Sequence, residues 1–448
     1  MCYVHTTGEK DLTFFGKTFR RGTHPPARKI TADMPLAEFD APERLYFALA
    51  QHIGAPAQPV VSEGERVLAG QLIAEAAGYV SARVHSSVSG TVAGIKELPT
   101  ATGGKCRHIE IINDFAYESV SLPPLADPSA EEIIARVREC GIIGMGGAGF
   151  PTHVKLAPKN AVDTLVLNGA ECEPYITCDC RLMTERAAEV VRGAELLMTA
   201  LGAGRTLIGV EANKKEAFAA LSEACAGNAA VTPVLLRTKY PQGAEKQLVF
   251  ALTRRQVPPG GLPADVGCVV DNVHTAYAVA RAVDKGEPLY MRAVTVSGGA
   301  AGVRGNFMMR TGIPFSFVRE KTRGETSDDD VAKVISGGPM MGFAQAGLDA
   351  CVTKGTSSVL FMDGREAAMR EPTQCINCGR CIRQCPMKLM PRDIEKAVLS
   401  GDFARTEELF VASCMECGVC SYVCPAKRPL VQAIRLAKKT LKEGRAGK

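Results

Sequence analysis

The sequence contains no uncharged apolar run of the roughly 18 residues that a membrane-crossing helix needs, and its first residues, MCYVHTTGEKD, carry no apolar signal core. Both absences point to a cytoplasmic protein without a span of its own. There is no low-complexity tract, and 46% hydrophobic with 23% charged residues is a globular composition, so disorder is expected only at the two ends. Nor does one sign of charge dominate. The net +5 is spread over 448 residues with acids and bases alternating, which leaves no nucleic-acid footprint. The exception is the end of the chain, where Lys427, Arg428, Arg435, Lys438, Lys439, Lys442, Arg445 and Lys448 are accompanied by one acid, Glu443. This stretch reads as a solvated helix end or as a dock for an acidic partner or an anionic membrane surface.

Cysteine, by contrast, is plentiful. Seventeen in a chain without a secretory signal read as reduced thiols and metal ligands. Eight form one pattern twice: Cys375-x2-Cys378-x2-Cys381-x3-Cys385-Pro386 and Cys414-x2-Cys417-x2-Cys420-x3-Cys424-Pro425. Structural zinc also uses paired Cys-x2-Cys, but it gives no reason for a third cysteine at the same spacing and a proline after the fourth. The pattern is that of two 4Fe-4S clusters, in which three thiolates of a run wrap one cluster and the fourth reaches the other. Cluster one should take Cys375, Cys378, Cys381 and Cys424; cluster two should take Cys414, Cys417, Cys420 and Cys385. The remaining thiols, Cys172, Cys178 and Cys180 among them, have no common metal spacing and read as bystanders.

A chain of this length exceeds one ordinary core. Residues 59–113 are rich in Val, Ile and Gly at short spacing and read as a small β unit. Ser129 and Glu132 make a capping-box signal for a helix that stops at Gly141. Strand candidates follow at 162–168, 206–211, 231–237 and 268–270, with helical patterns at 181–201, 214–226, 243–253 and 273–285. That alternation predicts a mostly parallel sheet, with ligands at the C-terminal ends of its strands. A second β-rich unit runs from about 290 to 362. Within it, Met340 and Met341 read as core and turn. His153 and His274 lie in motif loops and read as satisfied polar contacts.

The stretch Gly141-Ile-Ile-Gly144-Met-Gly146-Gly147-Ala-Gly149-Phe150-Pro151 could cradle a phosphate or form a tight interdomain turn. A resemblance adds to this. GMGGAGFPTHVK followed by NGAECEP resembles the flavin and NADH loops of the flavoprotein subunit of respiratory complex I, and the likeness continues through Tyr240-Pro-Gln-Gly243-Ala-Glu245 and Asp271-Asn272-Val273-His274-Thr275. The resemblance implies that Gly144, Gly146, Gly147 and Gly149 line FMN, that Lys155 meets its phosphate or ring, and that Asn168 and Glu171 hold its polar groups. Phe150 and Glu173 fall where that family contacts NADH, and Tyr240, Glu245, Asn272 and Thr275 are further cofactor-binding positions. Ala170 and Ala244 stand where the family pattern has acids.

VxxGxxVxxGQ followed by SxVSGTV resembles the barrel sandwich of lipoyl and biotinyl domains, but the hairpin tip, Ala76 to Val80, has no lysine and so cannot be a swinging-arm carrier. With the TFRRGTHPPARK arm (Thr18 to Lys29), the order of parts resembles the RnfC family of the Rnf complexes over nearly the whole chain. The fold expected is multidomain α/β plus β. It comprises an N-terminal arm (1–30), a barrel-sandwich β domain (31–115) and a Rossmann-like α/β domain for FMN and NADH (120–288). A β-grasp-like SLBB domain (289–364) and a helical two-cluster ferredoxin-like domain with the basic tail (365–448) follow.

The implied function is that of a peripheral electron-input subunit on the cytoplasmic side of the inner membrane, in an ion-translocating NAD:ferredoxin oxidoreductase. It would pass electrons between NAD(H), FMN and two 4Fe-4S clusters. Its partners would be integral membrane and iron–sulfur subunits, with ferredoxin met indirectly. The alternatives are a soluble flavin and iron–sulfur reductase, such as a corrinoid reductase, and a non-catalytic relay or scaffold subunit.

Overall fold

The computed structural model describes residues 16–147 and 149–446. The first half of the N-terminal arm, residues 1–15, and the last two residues of the basic tail lie outside this range. The β-rich start contains β1 (Leu36–Glu38), β2 (Arg44–Ala48), β3 (Gln58–Pro59), β4 (Arg66–Val67), β5 (Leu72–Glu75), β6 (Val84–His85), β7 (Gly90–Pro99) and β8 (Lys105–Asn113). Strands β2-β8-β7-β4 form one antiparallel sheet and β3-β5-β6 another, the sandwich expected of the Val/Ile/Gly pattern. The lysine-free tip leans on the next unit, where the Tyr79 carbonyl lies 3.1 Å from His153 Nε2.

The second unit follows with α1 (Ala130–Glu139), α2 (Thr152–Lys155), β9 (Thr164–Gly169), α3 (Cys178–Glu185), α4 (Ala187–Leu201), β10 (Arg205–Glu211), α5 (Lys215–Ala224), β11 (Val231–Leu236), α6 (Glu245–Thr253), β12 (Cys268–Asn272) and α7 (Val273–Lys285). The capping box at Ser129 and Glu132 is formed, and it satisfies backbone donors that a helix start leaves unpaired. The sheet is fully parallel, in the order β11-β10-β9-β12. The chain runs from β9 outward to β11 and then returns to the other side of β9. The order therefore reverses between β9 and β12, where an open α/β sheet leaves a crevice at its C-terminal edge.

The helical pattern read at 181–201 is two helices in the structure, broken at Arg186. The break frees α3 to pack on the third unit, where the backbone N–H groups of Thr177 and Cys178 both donate to Thr295 Oγ1 at 3.0 Å. Helix α4 stays on the sheet and meets α7 closely, because a Cβ on Gly193 would sit 1.8 Å from the Ala276 carbonyl oxygen.

The third unit has β13 (Met291–Ser297), β14 (Gly305–Arg310), α8 (Phe315–Thr322), β15 (Lys333–Ser336), β16 (Phe343–Ala344) and β17 (Ser358–Met362). Its mixed sheet has the order β1-β14-β13-β17-β15-β16. Strand β1, expected in the barrel sandwich, pairs parallel with β14 instead. Val294, Val296 and Phe361 share one apolar core with Leu45, Phe47 and Ile109 of the sandwich, so the two β units are fused through their interiors.

The last unit packs α9 (Arg380–Gln384), α10 (Pro391–Leu399), α11 (Phe403–Glu408), α12 (Val419–Tyr422) and α13 (Leu430–Ala446) around a small core of Leu389, Ile394, Leu430 and Ile434. Helix α13 carries the basic stretch, but much of its charge is paired. Arg428 meets Glu395 at 3.0 Å, and Arg435 and Lys438 both meet Glu416. The unpaired basic charge is thus smaller than the sequence count suggests. No described helix is long and apolar enough to cross a membrane.

Candidate functional site

The glycine loop leaves the end of α1 and is pinched at its neck, where Gly144 N–H donates to the Phe150 carbonyl at 2.7 Å and Ile143 pairs with Pro151. From beneath, the N–H of Met145 donates to Thr275 Oγ1 at 3.0 Å. Thr275 is fully buried, so it anchors the loop and does not face a ligand. Asn272 is the floor: a Cβ on Gly146, whose φ is +88°, would lie 2.7 Å from Asn272 Nδ2. Gly147 differs, since a Cβ there meets no described atom within 4 Å. The loop is therefore supported from below and open above, a cradle whose backbone N–H groups can take an anion. Phe150 is half-buried at its far end.

The remaining predicted residues converge on that floor from the C-terminal ends of the strands. Asn168 at the end of β9 lies opposite Asn272 at the end of β12. It donates from Nδ2 to the Gly243 carbonyl at 2.8 Å, and its Oδ1 accepts from Ala170 N–H at 3.2 Å. Lys155, from the short α2, donates to the Val270 carbonyl at 2.8 Å and to Asp271 Oδ1 at 3.0 Å. Burial pushes the carboxyl of Asp271 up, and the Lys155 ammonium pulls it back. Glu245, the first residue of α6, lies exposed on the rim within electrostatic reach of Lys155 and Asp271.

Glu171 lies deeper. Its backbone is left-handed at φ 44°, its side chain is buried, and its Oε1 accepts from Asp179 N–H at 2.7 Å. Two lysines hold it. Lys29 from the arm donates to the carbonyls of Glu171, Glu173 and Ile176, and Lys214 donates to the Ala170 carbonyl at 2.7 Å and lies 3.3 Å from Glu211. Burial raises the Glu171 carboxyl to about 7 against the pull of these two ammonium groups. Sequence reasoning misses Lys29, Lys214, Glu211 and Asp179 as site residues. Nothing local separates them from surface charges, and only the PPARK end of the arm marks Lys29.

Glu173, expected at the nicotinamide nucleotide, is held by donors from Tyr240 and the third unit. Its carboxylate accepts from the N–H groups of Met340 and Met341 at 3.1 and 2.9 Å and from the Tyr240 hydroxyl at 3.3 Å, so it is engaged inside the protein. Burial raises it to about 7. Tyr240 is 1% exposed and packs with Cys172, Met340 and Cys417, which puts this pair in the seam between flavin loop and cysteine domain. Glu173 is thus held by protein donors while staying partly exposed. Met340 and Met341 lie in a turn, as read, but the core reading fails for Met341, which is 42% exposed, while Met340 is partly buried against Tyr240 and Cys417.

Within the cysteine domain the sulfurs gather in two sets. Cys375, Cys378, Cys381 and Cys424 line one cleft, open where Cys375 is exposed and Ile376 is 67% exposed. The other set lies deeper. Burial first, and then the charges of Cys414 and Cys385, push the Cys417 thiol up to about 12, and the same neighbours with Cys417 act on Cys420. None of the described cysteines is in a disulfide. Two groups of four sulfurs, in no disulfide and held by few hydrogen bonds such as those of Leu389 N–H to Cys385 and Glu416 N–H to Cys414, fit the donor set that an iron–sulfur cluster requires.

Comparison with known proteins agrees with this layout. Residues 17–116 match the RnfC barrel sandwich hybrid domain, 137–281 the Nuo51 FMN-binding domain and 367–425 a 4Fe-4S dicluster domain. Over 432 residues the chain is 44% identical to the corresponding subunit of the Na(+)-translocating ferredoxin:NAD(+) oxidoreductase complex of Acetobacterium woodii, covering 95% of this chain and 97% of that one. The chain belongs to the RnfC family. Its relatives include the corresponding subunit of the proton-translocating complex of Clostridium ljungdahlii, 44% identical over 84% of this chain and 83% of that one. Its counterpart in the ion-translocating oxidoreductase complex of Rhodobacter capsulatus is 39% identical over 96% and 84%. Among solved structures, an NAD+-reducing [NiFe]-hydrogenase in the H2-reduced state aligns with a TM-score of 0.50 at 20% identity, over 69% of this chain and 61% of that one, a likeness of fold alone. As a member of the RnfC family, the chain is a multidomain α/β protein with a barrel sandwich, a parallel α/β FMN domain and a dicluster ferredoxin domain.

Proposed function

We propose that this chain is the electron-input subunit of an ion-translocating ferredoxin:NAD oxidoreductase, exchanging hydride with NAD(H) and single electrons with its partners. The observation that carries it is the cradle. An open glycine loop sits over Asn168, Asn272 and Lys155 at the reversal of a parallel sheet, with a packed seam leading from it to cysteines. Bound there, FMN would accept a hydride and release its electrons one at a time to 4Fe-4S clusters. The protein's part is positional and electrostatic. Lys155 is held by Asp271 and presents a fixed positive charge, the loop N–H groups and Asn168 orient polar groups, and Phe150 offers a ring for the nicotinamide to stack on.

The seam supports an order. Cys417 packs with Tyr240 and Met340, so the set Cys414, Cys417, Cys420 and Cys385 is nearer the flavin loop, and the open set Cys375, Cys378, Cys381 and Cys424 is the port to partners. Glu173 and Tyr240 fix the seam and do not bind the nucleotide. We read 289–364 as a β-grasp (SLBB) module, since its hairpin β13–β14, helix α8 and the parallel β13–β17 pair follow that plan. The domain limits 31–115, 120–288 and 365–448 belong to the same reading. The protein would attach peripherally on the cytoplasmic side of integral membrane and iron–sulfur subunits, meeting ferredoxin through them.

The test is anaerobic reconstitution with FMN and iron, followed by stopped-flow mixing with NADH. The expected result is bleaching of a flavin band followed by cluster reduction. Fast reduction by another donor but none by NADH removes the nicotinamide from the reading.

A further inference from the structure

Behind the floor of the glycine loop lies a set of buried polar atoms that the cradle does not use. His274, near the start of α7, is wholly buried, and neither ring nitrogen has a hydrogen-bond partner among the described residues. The expectation of a satisfied contact is thus overturned. His274 Nδ1 stands 4.0 Å from Asp179 Oδ1, which is itself without a hydrogen bond. The other oxygen of Asp179 accepts from Asn272 Nδ2 at 2.7 Å, the same amide that floors the loop under Gly146. His274 also borders a cleft walled by Tyr277, Arg281, Glu287 and Tyr290 that opens to the surface, with both ring nitrogens covered at rest. Floor, carboxylate and imidazole thus follow one another from the cradle, and the residue that ends the series borders the cleft.

The neighbourhood does not call for a cation. The three acids Glu171, Asp179 and Glu211 are matched by Lys29, Lys214 and Arg292, so the network is neutral as built. What it lacks is a use for the imidazole. A group with no hydrogen bonds, placed between a carboxylate and a wet cleft, is free to take a proton from one side and give it up on the other.

We propose that Asp179 and His274 are a proton relay between the flavin cradle and the surface cleft. The proposal rests on the hydride chemistry inferred above. A hydride brings two electrons and one proton, and when the electrons leave singly the proton remains. The balance is that NADH and two oxidised one-electron acceptors give NAD+, two reduced acceptors and one proton, which must reach water; in reverse, one must enter. A water beside the Asn272 amide carries it to Asp179 Oδ1, His274 Nδ1 takes it across the 4.0 Å gap, which one water or a small ring movement spans, and the same ring movement brings Nε2, covered at rest, to the cleft that the residue borders. Asn272 carries no proton; it holds the Asp179 carboxylate in place.

The groups facing His274 are Asp179 from α3, Arg292 from β13, Tyr277 and Arg281 from its own helix, and Glu287 and Tyr290 from the segment after it. Burial first, and then the charge of Arg292, keeps the imidazole neutral at rest, with its pKa well below 6.5. The ring therefore passes protons on without storing them.

The test has two arms. Loaded protein is mixed anaerobically in weak buffer with NADH, a one-electron acceptor and a pH-indicator dye. Wild type should release one proton in step with each electron pair. His274→Phe, which keeps a ring against Tyr277, and Asp179→Asn should each delay proton release tenfold or more. In His274→Ala, added imidazole should restore it. Wild-type proton release in both His274→Phe and Asp179→Asn overturns the relay, as does a slow His274→Ala protein that imidazole leaves slow. The second arm needs no flavin. In histidine-labelled protein without cofactors, the His274 ring should be neutral and should exchange its N–H with water faster than that of His85, although His274 is 0% exposed and His85 5%. Slower exchange at His274 overturns the path even if the flavin reading stands, and faster exchange supports it even if NADH proves not to be the donor.

Discussion

Between residues 120 and 288 the polar groups of the site are held by other protein groups: Lys155 by Asp271, Asn272 by Asp179, and Lys29 and Lys214 by carbonyls. Between 371 and 440 the reverse holds. The sulfurs there have few partners, yet Cys381, Cys385 and Cys420 belong to the core itself. The first region is largely built before its cofactor arrives, because most of its site charges are paired within the protein and its main core contains no metal ligands. The second depends on what the sulfurs bind, since a small core built partly of ligands gains much of its folding energy from the metal.

The strongest way to break this comparison is to remove iron. Chelation under reducing conditions should open the cysteine domain to limited proteolysis within 371–429 while 120–288 stays resistant; equal sensitivity of both regions would show that the contrast is false. Next in size is Cys385→Ala, which should lower iron from about eight to about four per chain and erase the signal of the set around Cys417, not that of the exposed set. Loss from the set around Cys375 would undo the crossed assignment.

Gly147→Val should then weaken flavin binding tenfold or more with no change in iron content or melting temperature, because its Cβ meets only open space above the loop. A lower melting temperature in the flavin-free variant would show the loop to be part of the fold and not a cradle.

The smallest effect concerns charge on the preformed side. Lys354 is 1% exposed and donates to the carbonyls of Arg83 and Gly141, tying the sandwich to the end of α1, and burial lowers it to about 7 from 10.5. Between these values the unfolded chain holds a proton that the folded chain does not, so stability should rise with pH across that window, by at most ~1.4 kcal/mol per unit, and be lowest below it. Urea denaturation at pH 7 and 9 should show this rise, and Lys354→Met should flatten it.

Much of the fold was legible because its signals are local. The four parallel strands declared themselves by apolar runs between helical patterns, the capping box by Ser129 and Glu132, and the ligand loops by a cysteine spacing repeated without change. What was not legible depends on distant partners. Leu36–Glu38 looks like any short strand, and only β14, some 270 residues later, decides which sheet it joins. Arg435 and Lys438 count as a basic tail until Glu416 is folded against them. Glu173 carries the motif of a nucleotide contact, but the N–H groups of Met340 and Met341 claim its oxygens. His274 gives no sequence sign of being without hydrogen bonds, since that is a property of the cavity around it.

The arm has one more consequence, for how the chain is made. Lys17 pairs with Leu236, Thr23 with Tyr240, Gly22 N–H donates to the Gln384 carbonyl, and Lys29 closes over Glu171. This early segment is thus seated by residues synthesised well after it. At ~5 to 20 residues per second, the partner at Gln384 follows Gly22 by roughly 20 to 70 seconds. During that interval the arm can be seated on the flavin unit through Leu236, Tyr240 and Glu171 but has nothing to clasp on the cysteine side. A chain truncated before residue 384 would keep the arm's upper contacts but lack its clasp on the cysteine domain, so this strap is fastened only on chains that have been completed through the first cysteine run.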